Sequence, residues 1–470
     1  MRSQRPQQEI EIDIDAIGFE GIAIGRLDGL VHFVAGALPG ERVRARITGT
    51  KKRFKQAEVI EVLTASPDRR TPPCPHFGVC GGCKWQHLAY EEQARWKRQH
   101  VVDSFERLGQ IPVGVVHPTL SSPEIYAYRN KMEFSFGGSA WLTREEIDSG
   151  VEFGTSFALG LHVPGRFDKV RHISTCMLQQ DVANRVLAHT HACSEQTGIQ
   201  AYHQRHRDGF ARHLVIRTSV ATGSVMTVLI TTTPTQEHEE DFLQQWFALA
   251  PTLPHGSSMI HAINDTWSPV AVGQITKVVG PGYLDETSLG ITYRISPFSF
   301  FQTNTLHLPN LITRALDRAD LRPTDVVWDL YCGTGTLTLP AAQRAKHVIG
   351  AELSESSIAD ARANAERNAI NNVAFHTVDL HVPSAMDVLR SLPQPDVILI
   401  DPPRNGMHEQ VVRHILAVAP ERLIYVSCNP ATMARDCAIL AELYDVVEVT
   451  PVDMFPQTYH VEAVGVLRRR

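Results

Sequence analysis

The feature that most limits how this chain can fold is the alternation of short apolar strands and helices that begins at Asp325. Five apolar segments follow in order, and each ends in a polar residue or a turn: VVWDLY, HVIGAELS, VAFHTVDL, PDVILID and RLIYVSC. Strands that alternate with helices in this way form a parallel sheet with helices on both faces. The sequence therefore predicts a doubly wound α/β domain that binds its ligands at the carboxyl edge of the strands.

A glycine turn follows the first of these strands. Gly333 and Gly335 would let a ligand approach the backbone, and Glu352, nineteen residues after Gly333, could accept hydrogen bonds from ribose hydroxyls. This pattern is compatible with NAD or with S-adenosylmethionine. The third glycine of a dinucleotide loop is absent, and the series Glu352, Asp379 and Asp401 along successive strand ends needs no phosphate partner. These acids favour S-adenosylmethionine, with Asp379 near its adenine amine.

The fifth strand ends at Cys428, where the chain turns into a helix. Asn429 is a favoured helix N-cap, and Pro430 is favoured as the first helical residue. A helix N-terminus lowers the pKa of a thiol, so this position favours a nucleophilic thiolate. The alternative is a small core residue, because free cysteine is among the most buried residue types. Periodicity alone favours the core residue, whereas the other motifs favour the nucleophile.

The DPPR sequence at residues 401–404 is compatible with two kinds of methyl transfer, and these differ in whether they need a cysteine. DPP also occurs in enzymes that methylate exocyclic amines, which need no cysteine. Methylation at C5 of uracil does need one, because a thiolate that adds to C6 converts the ring into an enolate. A base must then remove the C5 proton. Glu462 in the apolar segment TYHVEAVGVL is the candidate base, since burial raises the pKa of a carboxyl group.

The first part of the chain has a different pattern. Residues 8–63 alternate strand-like segments with glycine and proline turns, which predicts a small closed barrel of the OB type. Within it, residues 42–55 contain seven basic side chains and no acidic one, although the whole chain has a net charge of −6. An exposed charged face is the ordinary explanation of such a run. We predict instead that it is an RNA-binding surface.

Three cysteines come close together after the barrel. Cys74, Cys80 and Cys83 are spaced C-x5-C-x2-C among glycines, which is typical of a metal or cluster site. A fourth ligand must come from elsewhere, and Cys176 is a better candidate than Cys193, which lies in a helical pattern. This spacing alone is compatible with zinc or with a [4Fe–4S] cluster.

Composition and length complete the picture. A chain of 470 residues with eight cysteines is long enough for two to four domains and too poor in cysteine for a disulfide scaffold. We predict a barrel at 1–66, a cysteine segment and helix at 67–111, an antiparallel α/β middle domain at 112–290 and a catalytic domain at 291–470. With neither a signal peptide nor an apolar run of membrane-spanning length in the sequence, we expect a cytoplasmic protein without a membrane or obligate protein partner.

Two parts of the sequence resemble known protein families. Residues 25–29 (GRLDG), 33–36 and 37–43 resemble the TRAM domain, a small RNA-binding barrel of RNA-modifying enzymes. From Cys74 onward, CPHFGVCGGC, SFFQTN, DLYCGTGT, DPPRNG, VSCNPATMARD and HVEAV resemble the bacterial RNA 5-methyluridine methyltransferases, in particular the iron–sulfur branch that acts on 23S ribosomal RNA. The resemblance implies a class I, Rossmann-like methyltransferase domain.

The resemblance also implies roles for individual residues. It implies a [4Fe–4S] cluster on Cys74, Cys80, Cys83 and Cys176. It implies contacts to the donor S-adenosyl-L-methionine by Gln302, Tyr331, Thr336, Glu352 and Asp379, with Asp401 near the donor and the target base. It implies that Cys428 is the nucleophile and Glu462 the base. At the end of the glycine loop, Thr336 replaces the asparagine of some members.

The expected activity is methylation of a uridine at C5 through a cysteine adduct. Ribosomal RNA is expected because the transfer-RNA branch of the resembled family lacks the barrel and the cluster. The alternatives are a transfer-RNA uridine, formation of 5-methylcytidine through the same kind of adduct, and a non-catalytic RNA-binding or assembly protein.

Overall fold

The structure is a computed structural model that describes residues 8–150, 157–382 and 385–470. Its strands form a closed five-stranded barrel, a seven-stranded sheet, a two-stranded hairpin and an eight-stranded sheet. No helix within these ranges is long and apolar enough to cross a membrane.

The barrel is the predicted closed one. Its strands are β1 (Glu9–Ile17), β2 (Ala23–Leu27), β3 (Leu30–Ala35), β4 (Arg42–Thr50) and β5 (Phe54–Thr64), in the order β1-β2-β3-β5-β4. Alternate residues such as Ile12 and Ile14 point into a small apolar core. Asp28 and Gly29, which connect β2 to β3, both have positive φ, as a tight hairpin turn requires.

The segment after the cysteines packs on the catalytic half of the molecule. Helix α1 (Tyr90–Asp103) continues as a π-helical segment (Ser104–Gly109) that contributes Phe105 to the core there. Strand β6 (Val113–Val116) pairs in parallel with β21 (Tyr444–Val452). This strand, which lies within the predicted range of the middle domain, therefore belongs to the catalytic sheet.

The middle domain is a sheet with helices packed on it. Its strands are β7 (Lys131–Gly137), β8 (Ala158–Val163), β9 (Arg166–His172), β10 (Ala211–Thr218), β11 (Val225–Thr231), β12 (Ser258–Ile263) and β13 (Gln274–Val279), in the order β13-β12-β11-β10-β7-β8-β9. Its helices are α2 (Arg144–Asp148), α3 (Asp181–Thr197) and α4 (Glu237–Phe247). Pairing is antiparallel as predicted, except that β11 and β12 are parallel because α4 crosses between them.

The catalytic domain begins with the hairpin β14 (Leu284–Ser288) and β15 (Ile291–Ile295). Its remaining strands, beside β6 and β21, are β16 (Val326–Leu330), β17 (His347–Glu352), β18 (Val373–Thr377), β19 (Val397–Ile400), β20 (Arg422–Ser427) and β22 (Glu462–Arg469). Its helices are α5 (Leu308–Ala319), α6 (Thr338–Ala342), α7 (Glu355–Arg367), α8 (Ala385–Arg390), α9 (Glu409–Val418) and α10 (Pro430–Leu440).

The order of this sheet, β18-β17-β16-β19-β20-β22-β21-β6, is that of a doubly wound fold. Strands β16 to β20 are parallel, and apolar cores cover both faces of the sheet. The chain moves outward in one direction through β17 and β18 and in the other through β19 and β20. The carboxyl ends of β16 and β19 therefore form the switch point where such sheets bind ligands.

Candidate active site

Cys428 lies where the sequence predicts it, between β20 and α10. Asn429 is the N-cap of α10, since its side-chain oxygen accepts a hydrogen bond from the Ala431 N–H at 3.1 Å. The Asn429 side chain also donates to the carbonyl oxygen of Arg404 at 3.1 Å, which ties the DPPR loop to this corner. Cys428 is half-buried, whereas Cys437 of α10 is fully buried. Cys428 is therefore at the mouth of the site and not in the core.

Glu462 lies next to Cys428 because β22 runs antiparallel to β20. Ser427 pairs with Ala463, so that Cys428 and Glu462 follow this pair at the same edge of the sheet. The Glu462 side chain is 3% exposed, and its Oε2 atom has no hydrogen-bond partner among the described residues. Asp401 directly follows β19, the other neighbour of β20.

These three side chains influence one another electrostatically. Burial and the carboxylate of Asp401 raise the pKa of Glu462 well above its usual range, while Arg404 opposes this shift. Burial and Asp329 raise the pKa of Asp401 to about 7. The group therefore holds one or more protons at neutral pH, as expected for carboxyl groups that share a buried site.

The prediction that the helix N-terminus lowers the pKa of Cys428 is wrong. Burial and the charges of Glu462 and Asp401 raise the pKa of this thiol to about 12, although Arg404 acts in the other direction. The partial positive charge of a helix N-terminus is a smaller effect than desolvation together with two nearby carboxylates. The resting Cys428 is a protonated thiol, so its attack on any substrate must be coupled to loss of its proton.

The glycine loop after β16 makes a close turn beside this edge. Tyr331 has a φ of +67°, and Gly333 and Gly335 have φ values of +55° and +88°. The backbone N–H groups of Tyr331 and Cys332 both donate to the Ala351 carbonyl oxygen, and the Gly333 N–H donates to Glu352 Oε2 at 3.2 Å. Glu352 is thereby held beside the glycine loop. Its contact with a ribose stays a prediction.

Other residues predicted to contact the donor lie at the same edge or close to it. Asp379 lies two residues beyond β18 and accepts the His381 N–H at 2.9 Å. Gln302 is buried between β15 and α5, and its backbone carbonyl accepts from Asn130 at 2.8 Å. Thr336 is half-buried at the end of the glycine loop, where its carbonyl lies 3.5 Å from the Tyr293 hydroxyl.

Sequence reasoning missed Asp329, which is buried inside β16. The Thr338 hydroxyl donates to Asp329 Oδ2 at 2.5 Å, and burial raises the pKa of Asp329 to about 7. The sequence did contain an indication of Asp329, because it is an acidic residue within an apolar strand, the feature on which Glu462 was predicted.

Several buried polar atoms at this edge lack a partner within the described chain. They are Asp329 Oδ1, the Tyr331 hydroxyl, Thr334 Oγ1 and Glu462 Oε2. Buried polar groups are normally hydrogen-bonded, so a concentration of unsatisfied ones indicates a place where a polar ligand binds.

The four predicted cluster cysteines meet at one cavity. Cys74, Cys80, Cys83 and Cys176 line a cavity of about 380 Å³, whereas Cys193 is buried in the core of the middle domain. Burial raises the pKa of Cys80 to about 11 and that of Cys83 to about 12. Across the described ranges, no three His, Cys, Asp or Glu side chains are positioned to hold a single metal ion.

The cysteine cavity extends to the catalytic domain. Arg404 of the DPPR loop and the residues Phe455 and His460 line it together with the four cysteines. Burial and the nearby charge of Arg404 lower the pKa of His460 to about 4, so this imidazole is neutral at physiological pH. Chain neighbours of Asp401 and Glu462 therefore line the same cavity as the four cysteines.

Residues 453–458, which connect β21 to the strand that carries Glu462, are held by buried polar contacts. Lys97 of α1 donates to Asp453 Oδ1 at 2.5 Å and to the Phe455 carbonyl at 3.0 Å, and neither charged side chain is exposed. Gln93 exchanges hydrogen bonds with Gln457 at 3.0 and 2.9 Å. The backbone N–H groups of Lys84 and Trp85 both donate to the Gln457 carbonyl. The cysteine segment and α1 thus determine the path of the chain into Glu462.

The predicted basic surface of the barrel is largely neutralised along β4. Arg42 pairs with Glu11 at 3.0 Å, Arg44 pairs with Glu61, and Arg46 lies 3.9 Å from Glu9 and 3.8 Å from Glu58. Lys51, Lys52 and Arg53, at the turn between β4 and β5, are exposed and have no ion-pair partner among the described residues. The spacing of residues along β4 did not reveal these cross-strand partners.

Comparison with known proteins agrees with this arrangement. Residues 283–470 match the family described as tRNA (Uracil-5-)-methyltransferase, and residues 4–60 match the TRAM domain. An uncharacterized RNA methyltransferase of Bacteroides thetaiotaomicron is 39% identical over 96% of this chain and 99% of its own. Another, of Chlorobaculum tepidum, is 40% identical over 94% of this chain and 92% of its own.

A solved structure matches almost the whole chain. The Pyrococcus abyssi tRNA (uracil-54, C5)-methyltransferase in complex with S-adenosyl-L-homocysteine superposes with a TM-score of 0.74 at 26% identity. The match covers 97% of this chain and 99% of that one.

Proposed function

The chain belongs to the RNA uracil-C5 methyltransferases, which use S-adenosylmethionine, and we propose that it methylates a uridine of 23S ribosomal RNA through a covalent bond between Cys428 and C6. The observation that carries this proposal is the pairing of a half-buried thiol with a fully buried carboxyl group at the carboxyl edge of the sheet. Amine methylation would require neither group.

In the proposed reaction, the Cys428 thiol passes its proton to an ionised carboxylate of the Asp401–Glu462 pair as Sγ bonds to C6. The electrons of the C5–C6 double bond move toward O4, and C5 then takes the methyl group of the donor, which leaves as S-adenosylhomocysteine. The pair releases the thiol proton to solvent, so that the Glu462 carboxylate can remove the C5 proton. The double bond then re-forms, and Cys428 leaves as a thiolate that regains a proton from Glu462. Uracil C5 and C6 are not accessible in a base stack, so the uridine must be flipped out of the RNA.

We propose that the donor binds along the carboxyl ends of β16 to β19. Glu352 is the proposed ribose contact and Asp379 the proposed adenine contact, and Gln302, Tyr331 and Thr336 surround the remainder of the donor. The Tyr331 hydroxyl, which has no hydrogen-bond partner among the described residues, supports this assignment. Asp401 lies between the donor and Cys428 in this arrangement.

We propose that Cys74, Cys80, Cys83 and Cys176 hold a [4Fe–4S] cluster. Thiolates are preferred ligands of iron–sulfur clusters and of zinc, and here four thiols surround a cavity of about 380 Å³. Methyl transfer consumes no electron, so the cluster would stabilise the local fold. The backbone bonds from Lys84 and Trp85 to Gln457 would carry that stabilisation toward Glu462.

The proposed RNA target is ribosomal because the motif resemblance is to the iron–sulfur branch that acts on 23S ribosomal RNA. Such a substrate implies action in the cytoplasm. Transfer RNA is the second candidate, since the matched P. abyssi protein is a tRNA enzyme that spans 97% of this chain and so must include most of the barrel. The presence of the barrel therefore does not distinguish the two substrates.

The test is to incubate the full-length protein with labelled S-adenosylmethionine and either unmodified 23S ribosomal RNA or unmodified transfer RNA, then to digest the product to nucleosides. Label in 5-methyluridine of 23S ribosomal RNA, mapped to one or a few positions, is the expected result. Label in transfer RNA alone would support the second candidate. Label in 5-methylcytidine, or no label in either RNA from a cluster-containing preparation, would overturn the proposal.

A further inference from the structure

Trp267 of the middle domain is unusually exposed for a tryptophan. Its side chain is 66% exposed, while the other five tryptophans, all within the described ranges, are buried or half-buried. Large aromatic side chains at exposed positions are enriched in binding surfaces. Trp267 lies in the loop between β12 and β13, outside the active site described above.

The loop that carries Trp267 is rigidly held by a buried arginine. Arg212 of β10 is 3% exposed, and its guanidinium donates to the backbone carbonyls of Asn264, Thr266 and Ser268 at 2.5, 2.7 and 2.5 Å. The Asn264 side chain donates to the Val272 carbonyl at 2.8 Å. Burying a guanidinium is costly unless most of its N–H groups are bonded. Here the two terminal nitrogens are bonded to the loop, while Nε has no partner among the described residues. These bonds fix the backbone of the loop that exposes Trp267.

A second loop covers one side of the indole ring with a cation. The Arg207 guanidinium lies 3.5 Å from the centre of the Trp267 ring, and Gln204 donates to the Trp267 carbonyl at 2.6 Å. Arg207 itself has a φ of +62°, a conformation that costs free energy outside glycine and persists where its surroundings impose it. Trp267 and Arg207 together form what we term the Trp267 platform, an exposed aromatic ring beside an exposed positive charge.

The hairpin that carries Arg207 contacts the strand next to the one that lines part of the cysteine cavity. Arg205, in the same hairpin as Arg207, lies 4.0 Å from Asp168 on β9. Strand β9 pairs with β8, and Leu161 and His162 of β8 line the cavity that Arg404 and His460 also line. The platform and this part of the cavity are therefore formed by the same sheet of the middle domain and its loops.

We propose that the Trp267 platform binds a nucleotide of the RNA substrate away from the target uridine, by stacking of its base on the indole and attraction of its phosphate to Arg207. Stacking on aromatic side chains together with nearby arginine is the usual recognition of unpaired nucleotides. The exposed apolar side chains of β13 could instead serve a protein partner, but the exposed guanidinium of Arg207 against the ring favours an anion. This inference rests on the proposed function only in taking RNA as the ligand.

The test uses the full-length chain with Cys428→Ala, so that binding is measured without turnover. A fluorescently labelled oligouridylate of about 12 nucleotides, a length in the range of single-stranded binding sites, is titrated with the protein while the anisotropy of its label is followed. We expect Trp267→Ala to weaken binding about tenfold, the scale of one base stacked on an aromatic ring, and Trp267→Phe to retain most of it. Arg207→Ala should reduce the salt dependence of log Kd by about one phosphate contact.

Ile275→Ala on β13, which is exposed and apolar but outside the platform, serves as the matched control and should leave binding unchanged. Equal affinity of Trp267→Ala and its parent, with the same thermal unfolding, would overturn the inference. So would loss of self-association in Trp267→Ala with intact RNA binding, because it would make the surface a protein interface. If the parent protein does not methylate RNA but Trp267→Ala still weakens RNA binding, the result would count only against the proposed function.

Discussion

Glu462 lies beside Cys428 on the neighbouring antiparallel strand, where the Ser427–Ala463 pair brings the two residues to the same edge of the sheet. The two groups also affect each other electrostatically, since Glu462 contributes to the raised pKa of the thiol. A nucleophile and a base that act on adjacent carbon atoms of one ring must be this close.

Replacement of Cys428 should remove turnover while leaving the protein folded. Cys428→Ala is expected to lower kcat by at least about a thousandfold, the scale on which loss of a covalent nucleophile is felt. Methyl transfer from labelled S-adenosylmethionine to RNA measures it. Cys193→Ala, a buried cysteine of the middle domain, controls for general loss of a thiol. Normal methylation by Cys428→Ala would disprove the covalent mechanism.

Replacement of Glu462 should stop the reaction one step later. Glu462→Gln keeps the size of the side chain but cannot accept the C5 proton, so the methylated base should remain bonded to Cys428. Denaturing gel electrophoresis with labelled RNA should show a protein–RNA band that the double variant with Cys428→Ala lacks. If Glu462→Gln forms no such band yet is inactive, Glu462 acts before the adduct and is not the base.

The pH dependence of the rate should report the Asp401–Glu462 pair. Burial raises the pKa of both carboxyls, that of Asp401 to about 7, and the base form is the active one, so the rate should rise with pH as the pair loses its protons. Asp401→Asn removes a negative charge that raises the pKa of Glu462. The rate of the variant should then rise at a lower pH than that of the parent protein, whatever its maximal value. If the rate rises at the same pH in both proteins, Asp401 does not influence the pKa of the base.

The buried ion pair between Lys97 and Asp453 should contribute strongly to stability. Lys97→Met leaves Asp453 as an unpaired buried charge, which typically costs about 3–5 kcal/mol in the free energy of unfolding. Denaturant unfolding measures this loss, and the double variant with Asp453→Asn should recover part of it.

Because residues 453–458 lead into Glu462, Lys97→Met should also slow release of the RNA adduct more than its formation. If Lys97→Met unfolds and releases the adduct as the parent protein does, the ion pair neither stabilises the fold nor positions the segment that leads into Glu462.

The proposed cluster predicts a specific metal content. Replacement of any one of the four cavity cysteines by serine, for example Cys80→Ser, should lower the iron bound per chain after anaerobic purification. Cys437→Ser, on a helix away from the cavity, should not change it. Iron analysis and visible absorbance provide the measurement. Stoichiometric zinc without iron in the parent protein would overturn the cluster.

Local patterns determined much of the fold. The strand–helix alternation after Asp325 predicted β16 to β20, and Asn429 with Pro430 predicted the start of α10, because caps and buried strands depend on neighbouring residues alone. The barrel was equally predictable from its turns. Cys428, Glu462 and the four cavity cysteines were predicted as functional residues because a reactive residue type in an apolar or glycine-rich setting is conspicuous in a sequence, and their roles stay predictions.

Only the tertiary structure decided what depends on contacts between distant segments. The sequence placed Cys428 at a helix N-terminus, but the pKa of its thiol is governed by burial and by two carboxyls that arrive on other strands. Likewise, Arg42, Arg44 and Arg46 are neutralised by acids on adjacent strands, and β6 joins a sheet whose other strands lie more than 200 residues away. Desolvation and charge–charge interactions act through space, so one-dimensional spacing cannot specify them.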